Sequence, residues 1–277
     1  MRVSLGTAAV LGLASTPQAV APTTAYLLIG GRCARDSAFC AQARSSQADR
    51  TLLARVAWPE FPVESVIQSL GSCGDAPRRI CLQATSDAGS IAQVVRLVRR
   101  LAEATELPVD ASVLPPSADA VNELFESGLD HLGFGVDAAT RRVYTAVKGG
   151  GWEHYQGLIT YTAATQPGGL AVHLIAGLGE TEEEMVLAIQ RYHDQGAVVG
   201  LFAFCPIPGT RLANRAQPLL STYRRLQVAR QLIATGSARA SQMRFDTNGR
   251  LADFTDGVDL DAAVLAEAFR TSGCPDC

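Results

Sequence analysis

The 277-residue chain is 47% hydrophobic and 18% charged, with a formal net charge of −3. This is enough apolar material for one large core or two modest ones. The charge supplies no basic field for nucleic acid, and no apolar run reaches the ~20 residues that span a bilayer. Lys148 is the one lysine, and the other cationic side chains are arginines. The seven cysteines (33, 40, 73, 81, 205, 274 and 277) are too few and too unevenly spread for a disulfide framework. In a reducing compartment, here taken as the cytoplasm, such residues serve as metal ligands, catalytic groups or core residues.

In chain order, the first 21 residues have one early arginine, a small apolar stretch and an A-x-A-like end. Two readings stand: a secretory signal peptide, or an N-terminal arm (residues 1–24) packed on the fold. The hydrophobic period then switches repeatedly between strand and helix. Strands are expected at Ala25–Gly31, Arg79–Thr85, Val109–Leu114, His131–Asp137, Leu170–Leu178, Val198–Pro206 and Gln242–Asp246. Helices are expected at Pro62–Leu70, Ser90–Ala104, Ala118–Ser127, Thr140–Val147, Trp152–Thr165, Thr181–Gln195 and Thr222–Thr235. Thr181 with Glu184 forms a capping box. Alternation through the whole length predicts an α/β fold of parallel strands with right-handed crossovers, a partial or full TIM-like barrel, in one domain over 1–277.

In a barrel, chemistry belongs at the C-terminal ends of the strands. The first strand delivers GGRCARDSAFCAQARSS, with Cys33, Ser37, Phe39 and Cys40; by itself this loop fits zinc, redox chemistry or chance. The fourth strand ends at Asp137, a candidate helix N-cap. The fifth ends in GLGETEEE, where Gly177 and Gly179 let backbone approach a ligand and a helix N-terminus offers N–H groups to a carboxylate; an ordinary strand–turn–helix fits equally well. The sixth ends in FCPIPGT, with Pro206, Gly209 and Cys205, the last read as a small core residue. His173 reads as a core histidine, and His154 and His193 as helix-surface residues. The terminal Cys274-Pro-Asp-Cys277 has a spacing that lets two thiolates reach one metal, and zinc, a redox pair or a tail accident all remain open for it.

The C-x3-S-x2-C loop with its aromatic Phe39 resembles the cluster loop of radical S-adenosylmethionine (SAM) enzymes, in which three cysteines are spaced C-x3-C-x2-C; Ser37 stands in the middle place. Nearly the whole chain (RVSLGTAAVLGL, PTTAYLLIGGRC, FCAQARSS, ARVAWPEFP, RRICLQ, LDHLGFGVDAAT, HLIAGLGETEEEM, LFAFCPIPGT, MRFDTNGRLADF, FRTSGCPDC) resembles the biotin synthase-related members that act as two-component lipoyl synthases. The resemblance implies a partial barrel whose N-terminal segment is an arm. It implies a [4Fe–4S] cluster on Cys33, Ser37 and Cys40, and SAM held near Phe39, Asp137 (ribose side), Gly177, Gly179 and Glu180 (methionyl side), Pro206 and Gly209 (adenine side). Arg244, on the last strand, is expected to face the cluster or the substrate mouth. Cys73 and Cys81 with Cys274 and Cys277 are expected to hold an auxiliary iron–sulfur cluster.

The implied reaction is one-electron cleavage of SAM, hydrogen abstraction from C6 or C8 of an octanoyl chain on a protein lysine, and sulfur insertion from the second cluster. An apolar barrel interior suits that chain. The implied partners are an octanoylated carrier protein or peptide, a sister radical SAM subunit, and an electron donor such as ferredoxin or flavodoxin; neither nucleic acid nor membrane is expected. Ser37 is a poor iron ligand and leaves three readings: another third ligand, a non-catalytic SAM-binding partner that kept the fold, or a change in the sequence itself. Biotin synthase-like sulfur insertion is the other enzymatic reading. The related proteins continue past Cys277 with a short tail, so the chain is also readable as truncated.

Overall fold

The computed structural model describes all residues except 75, 256, 257, 259, 261, 271 and 274–277, and the side chains of 262–264. The fold is α/β with a mostly parallel sheet. The chain forms two compact units, whose boundary runs through one strand between Phe134 and Gly135.

The first unit contains Met1–Phe134 and Cys205–Asn214. Its elements are β1 (Arg2–Val3), α1 (Leu5–Val10), β2 (Thr24–Ile29), the short ribbon β3 (Leu52–Leu53) and β4 (Val56–Ala57), α2 (Val63–Gly71), β5 (Arg79–Ala84), α3 (Ser90–Ala104), β6 (Val109–Ser112), α4 (Ala118–Glu126) and the start of β7 (His131–Asp137). Strands are ordered β1-β2-β5-β6-β7; β1 is antiparallel to β2, and the pairs from β2 to β7 are parallel. The N-terminal segment thus adds an edge strand, and Ser4 caps α1 by accepting from the Thr7 N–H.

Residues paired across the parallel ladders share a face, and in this unit the two faces differ. One carries Ala25, Leu27, Ile80, Leu82, Val109, Ala111, Leu132 and Phe134, all 3% exposed or less. This is the face that suits the buried stripes Val66/Leu70, Val94/Val98/Leu101 and Val121/Leu124 of α2, α3 and α4. The register aligns the other set: Tyr26 with Cys81, Cys81 with Asp110, Asp110 with His131, Gln83 with Ser112. That face is polar, not the apolar interior expected for an acyl chain. At its start Arg79 Nη1 bonds Asp110 Oδ1 at 2.7 Å and also Asp130, while His131 Nδ1 lies 2.8 Å from Asp130 Oδ2 and 3.2 Å from Asp110 Oδ1.

The second unit contains Gly135–Phe204 and the described residues from Arg215 onward. It holds the end of β7, α5 (Arg141–Lys148), α6 (Trp152–Thr165), β8 (Leu170–Ala176), α7 (Glu182–Asp194), β9 (Val198–Ala203), α8 (Leu220–Ala234), β10 (Met243–Phe245), β11 (Leu251–Phe254) and α9 (Ala262–Ala268). β8 and β9 are parallel, with His173 beside Gly200 and Ile175 beside Phe202. Here the face shared by these four residues is largely apolar: the His173 ring meets Phe202 edge-on at 5.7 Å, and Phe202 is 40% exposed.

The expected seventh parallel strand is absent among the described residues. Met243–Phe245 instead forms an antiparallel ribbon with β11, turning through Asp246–Gly249. Asp246 Oδ1 accepts from the Asn248 and Arg250 N–H groups, and Gly249 has φ +70°, so the Asn-Gly pair makes a hairpin where a crossover was expected.

Candidate functional site

In the first unit the cysteine loop is built by its own hydrogen bonds. The Cys40 N–H donates to Ser37 O (3.1 Å), Ala43 to Cys40 O (3.1 Å) and Arg44 to Arg35 O (2.9 Å), while Ala34 donates to Ser86 O (2.6 Å). Asp36 Oδ1 accepts from both the N–H and the hydroxyl of Ser45; these bonds hold its carboxyl below the usual carboxylate range. The segment after β9 grips the loop from outside. Leu212 N–H donates to Ala38 O, Gln47 N–H to Gly209 O, and Arg211 to Asp36 O. Ile207 packs on Ala41, Ala48 and Leu52.

This unit therefore brings Cys33, Ser37, Phe39 and Cys40 together with Pro206 and Gly209. Gly209 has φ +85°, and a Cβ there would lie 2.5 Å from Ala48 N; the glycine serves loop packing. Cys33, Cys40 and Cys205 are half-buried, so Cys205, expected as a small core residue, is only partly enclosed. A cluster would find two thiols in the outer places and a half-buried hydroxyl in the middle. The donor chemistry fits a three-thiolate cluster at two corners and departs at Ser37.

Cys81 is buried within β5, and the Cys73 thiol donates to Leu70 O at 3.0 Å, its pKa raised by burial. Cys274 and Cys277 lie outside the described residues. Among the described residues, the one group of His, Cys, Asp or Glu ligand atoms within reach of a single ion is Asp110, Asp130 and His131. Arg79 already bonds both of its carboxylates, and it contains no cysteine.

In the second unit, Asp137 ends β7 with φ +66°, a left-handed conformation that costs a non-glycine residue about 1–2 kcal/mol. It is not the N-cap: Thr140 caps α5, its hydroxyl accepting from Val143 N–H. The Asp137 carboxylate is held instead by Lys148, whose ammonium bonds Asp137 Oδ2 and Gly135 O; the two side chains are 15% and 4% exposed.

The turn after β8 departs from the carboxylate-binding reading. Glu180 folds back, Oε1 accepting from Gly177 N–H at 2.5 Å and Oε2 from Leu178 N–H at 3.1 Å. Thr181 and Glu184 complete the capping box, and Glu183 N–H donates to Gly249 O. The Gly177, Leu178, Thr181 and Glu184 amides are thus taken by side chains of the turn itself. Gly177 and Gly179, at φ +101° and +125°, make room for Pro218 (2.8 Å from a Gly177 Cβ) and Arg215 (3.2 Å from a Gly179 Cβ), and Arg215 Nε donates to Gly177 O. Arg142 ties α5 to this turn through Gly179 O and Glu184. Arg244 does not stand on a barrel strand; it is exposed on the β10–β11 ribbon opposite Asp253. His173 is half-buried, His154 exposed and His193 half-buried. Lys148, Arg142 and Arg215 escaped sequence reasoning; Lys148, as the one lysine, was the only one with a visible signal.

With this geometry in hand, the model of the Radical SAM superfamily matches residues 27–191, and the chain belongs to that superfamily. Membership implies a [4Fe–4S] cluster and SAM. Similar solved structures are methylornithine synthase (PylB), with TM-score 0.61 and 15% identity over 76% of this chain and 62% of that one, and HydG, a maturase of the [FeFe]-hydrogenase, with TM-score 0.60 and 11% identity over 76% and 50%. HydG from Carboxydothermus hydrogenoformans aligns likewise, with TM-score 0.60 and 12% identity over 77% and 51%. The chain spans about half to three-fifths of the length of these proteins, and the likeness is one of fold. No curated protein matches it. No helix among the described residues is long and apolar enough to cross a membrane.

Proposed function

We propose that the chain is a radical SAM enzyme of lipoyl synthase type, inserting sulfur at unactivated carbons of an octanoyl chain carried on a protein lysine, together with a sister subunit and a ferredoxin- or flavodoxin-like donor. The observation that carries the reading is the largely apolar strand face of Ile175 and Phe202, on which Phe202 is 40% exposed and Gly200 packs closely under the His173 and Phe202 rings. It lies in the unit that holds Asp137 and the Gly177–Glu180 turn. Burial of methylenes there contributes about 0.8 kcal/mol each. When bound, the cluster and SAM supply the radical that removes hydrogen from an unactivated carbon, which no side chain does. The residues' part is to bind and orient: by the family resemblance Cys33 and Cys40 would hold the cluster, with Phe39 beside it in the loop, Pro206 and Gly209 would border the adenine, and Asp137 would take the ribose. Glu180 acts through the shape of its turn, since its carboxylate is spent on Gly177 and Leu178.

A second reading rests on Ser37: a SAM-binding partner that performs no chemistry. The polar face of Tyr26, Gln83, Ser112 and Asp110 in the first unit favours, within the enzyme class, a substrate with hydrogen-bonding groups such as dethiobiotin. Anaerobic reconstitution with iron and sulfide, then reduction with SAM and either an octanoylated carrier peptide or dethiobiotin, separates these readings. 5′-Deoxyadenosine and a thiolated octanoyl product are expected. No 5′-deoxyadenosine, even from Ser37→Cys, would leave the partner reading, and turnover of dethiobiotin alone would shift the assignment to biotin synthase-like chemistry.

A further inference from the structure

We infer that Lys148 is a positioning residue for nucleoside binding: it fixes the Asp137 carboxylate so that one oxygen remains to accept from a ribose diol. The inference rests on the reading that Asp137 takes the ribose of SAM.

Three observations converge. Asp137 keeps a left-handed backbone although Thr140 has taken the cap, so helix initiation does not explain the strain. Its Oδ2 is bonded by Lys148, while Oδ1 accepts no hydrogen bond among the described residues. Finally, Lys148 is immobilised from several sides: its ammonium also bonds Gly135 O and lies 5.6 Å from the Tyr144 ring centroid, and Tyr144 is 1% exposed and packs edge-on against Trp152. A lysine so held has surrendered its rotamer freedom to one geometry. The ion pair balances the charge, so a neutral diol can add to Oδ1 without creating or stranding a buried charge. A charge-assisted bond from a hydroxyl to a fixed carboxylate is stronger than to a mobile one, because ordering has been completed beforehand.

The test is equilibrium binding, by calorimetry, of SAM and of its 2′-deoxyribose analogue to the anaerobically reconstituted protein. Wild type is expected to prefer SAM by about tenfold or more, and Lys148→Met to bring that preference close to one, with Lys148→Arg retaining most of it. A merely structural role would weaken both ligands alike and leave the ratio unchanged, which would overturn the inference. Because Lys148→Met strands Asp137, the double variant Asp137→Asn/Lys148→Met is measured beside Asp137→Asn. The two should show the same ratio, and a further loss in the double variant counts against Lys148 acting through Asp137. Should wild type bind SAM without regard to the 2′-hydroxyl, or not bind it, the ribose reading itself falls and the inference with it.

Discussion

Gly209 and Ser37 put the loop's two requirements at single residues. A methyl group on Gly209 meets the Ala48 nitrogen at 2.5 Å and the Gln47 carbonyl carbon at 2.6 Å, on a backbone with φ +85°. Gly209→Ala is therefore expected to lower stability by about 2–3 kcal/mol. Urea unfolding measures this, and an unchanged midpoint would mean that 205–214 does not clamp the loop. Ser37 asks a chemical question. Since the loop's backbone bonds do not involve the Ser37 side chain, Ser37→Cys should fold as the parent does and hold its reconstituted iron more firmly against a chelator. Equal rates of loss from the two iron-loaded proteins would show that the hydroxyl suffices as a ligand.

Among elements, the cluster at the start of β5, β6 and β7 gives a pH signature. Hydrogen bonding to Asp110, opposed by burial, raises the His131 pKa above its usual 6.5. A group whose folded pKa is raised contributes stability that is complete below the unfolded value and is lost as pH rises through the folded one. Wild type should therefore lose stability relative to His131→Gln as pH rises from about 6.5 through the raised folded pKa; parallel melting curves for the two proteins as pH rises would refute this. In the second unit the β10–β11 ribbon is held to α7 by Glu182, which accepts from Leu251 N–H at 3.0 Å and from Arg225 Nε at 2.8 Å. Arg225→Met leaves a buried carboxylate short of its partner and is expected to cost about 2–4 kcal/mol. Adding Glu182→Gln should recover part of the lost melting temperature.

The elements differ in how legible they were. His131–Asp137, Ser90–Ala104 and Trp152–Thr165 are observed at the residues expected, because long runs of one period leave little choice. The ribbon was misread as a strand-and-crossover since its strands are only three and four residues long, too short for a period to show; Asn248-Gly249 was the unused signal. The polar face could not be read at all. Arg79, Asp110 and His131 are 31 and 21 residues apart in sequence, and only strand register brings them together.

For the whole molecule, family membership was legible where chemistry constrains spacing, in the Cys33–Cys40 loop, but the neighbours of the turn glycines were not. Gly177 and Gly179 suggested close backbone approach to a ligand, and the structure sets Pro218 and Arg215 against them. A flexible residue signals close approach without saying what approaches. The contrast between the polar strand face of the first unit and the largely apolar face of His173, Ile175 and Phe202 in the second likewise follows from register and not from composition.

The burial of Lys148 carries one more consequence. Its amine is the chain's sole side-chain amine, and its side chain is 4% exposed and engaged with Asp137. This polypeptide thus has no ε-amine on which an acyl group can ride. Under the function proposed above, the lysine that bears the octanoyl chain therefore belongs to a separate carrier. Mass spectrometry after incubation with an acyl-transfer system should find octanoyl adducts on the carrier and none at Lys148.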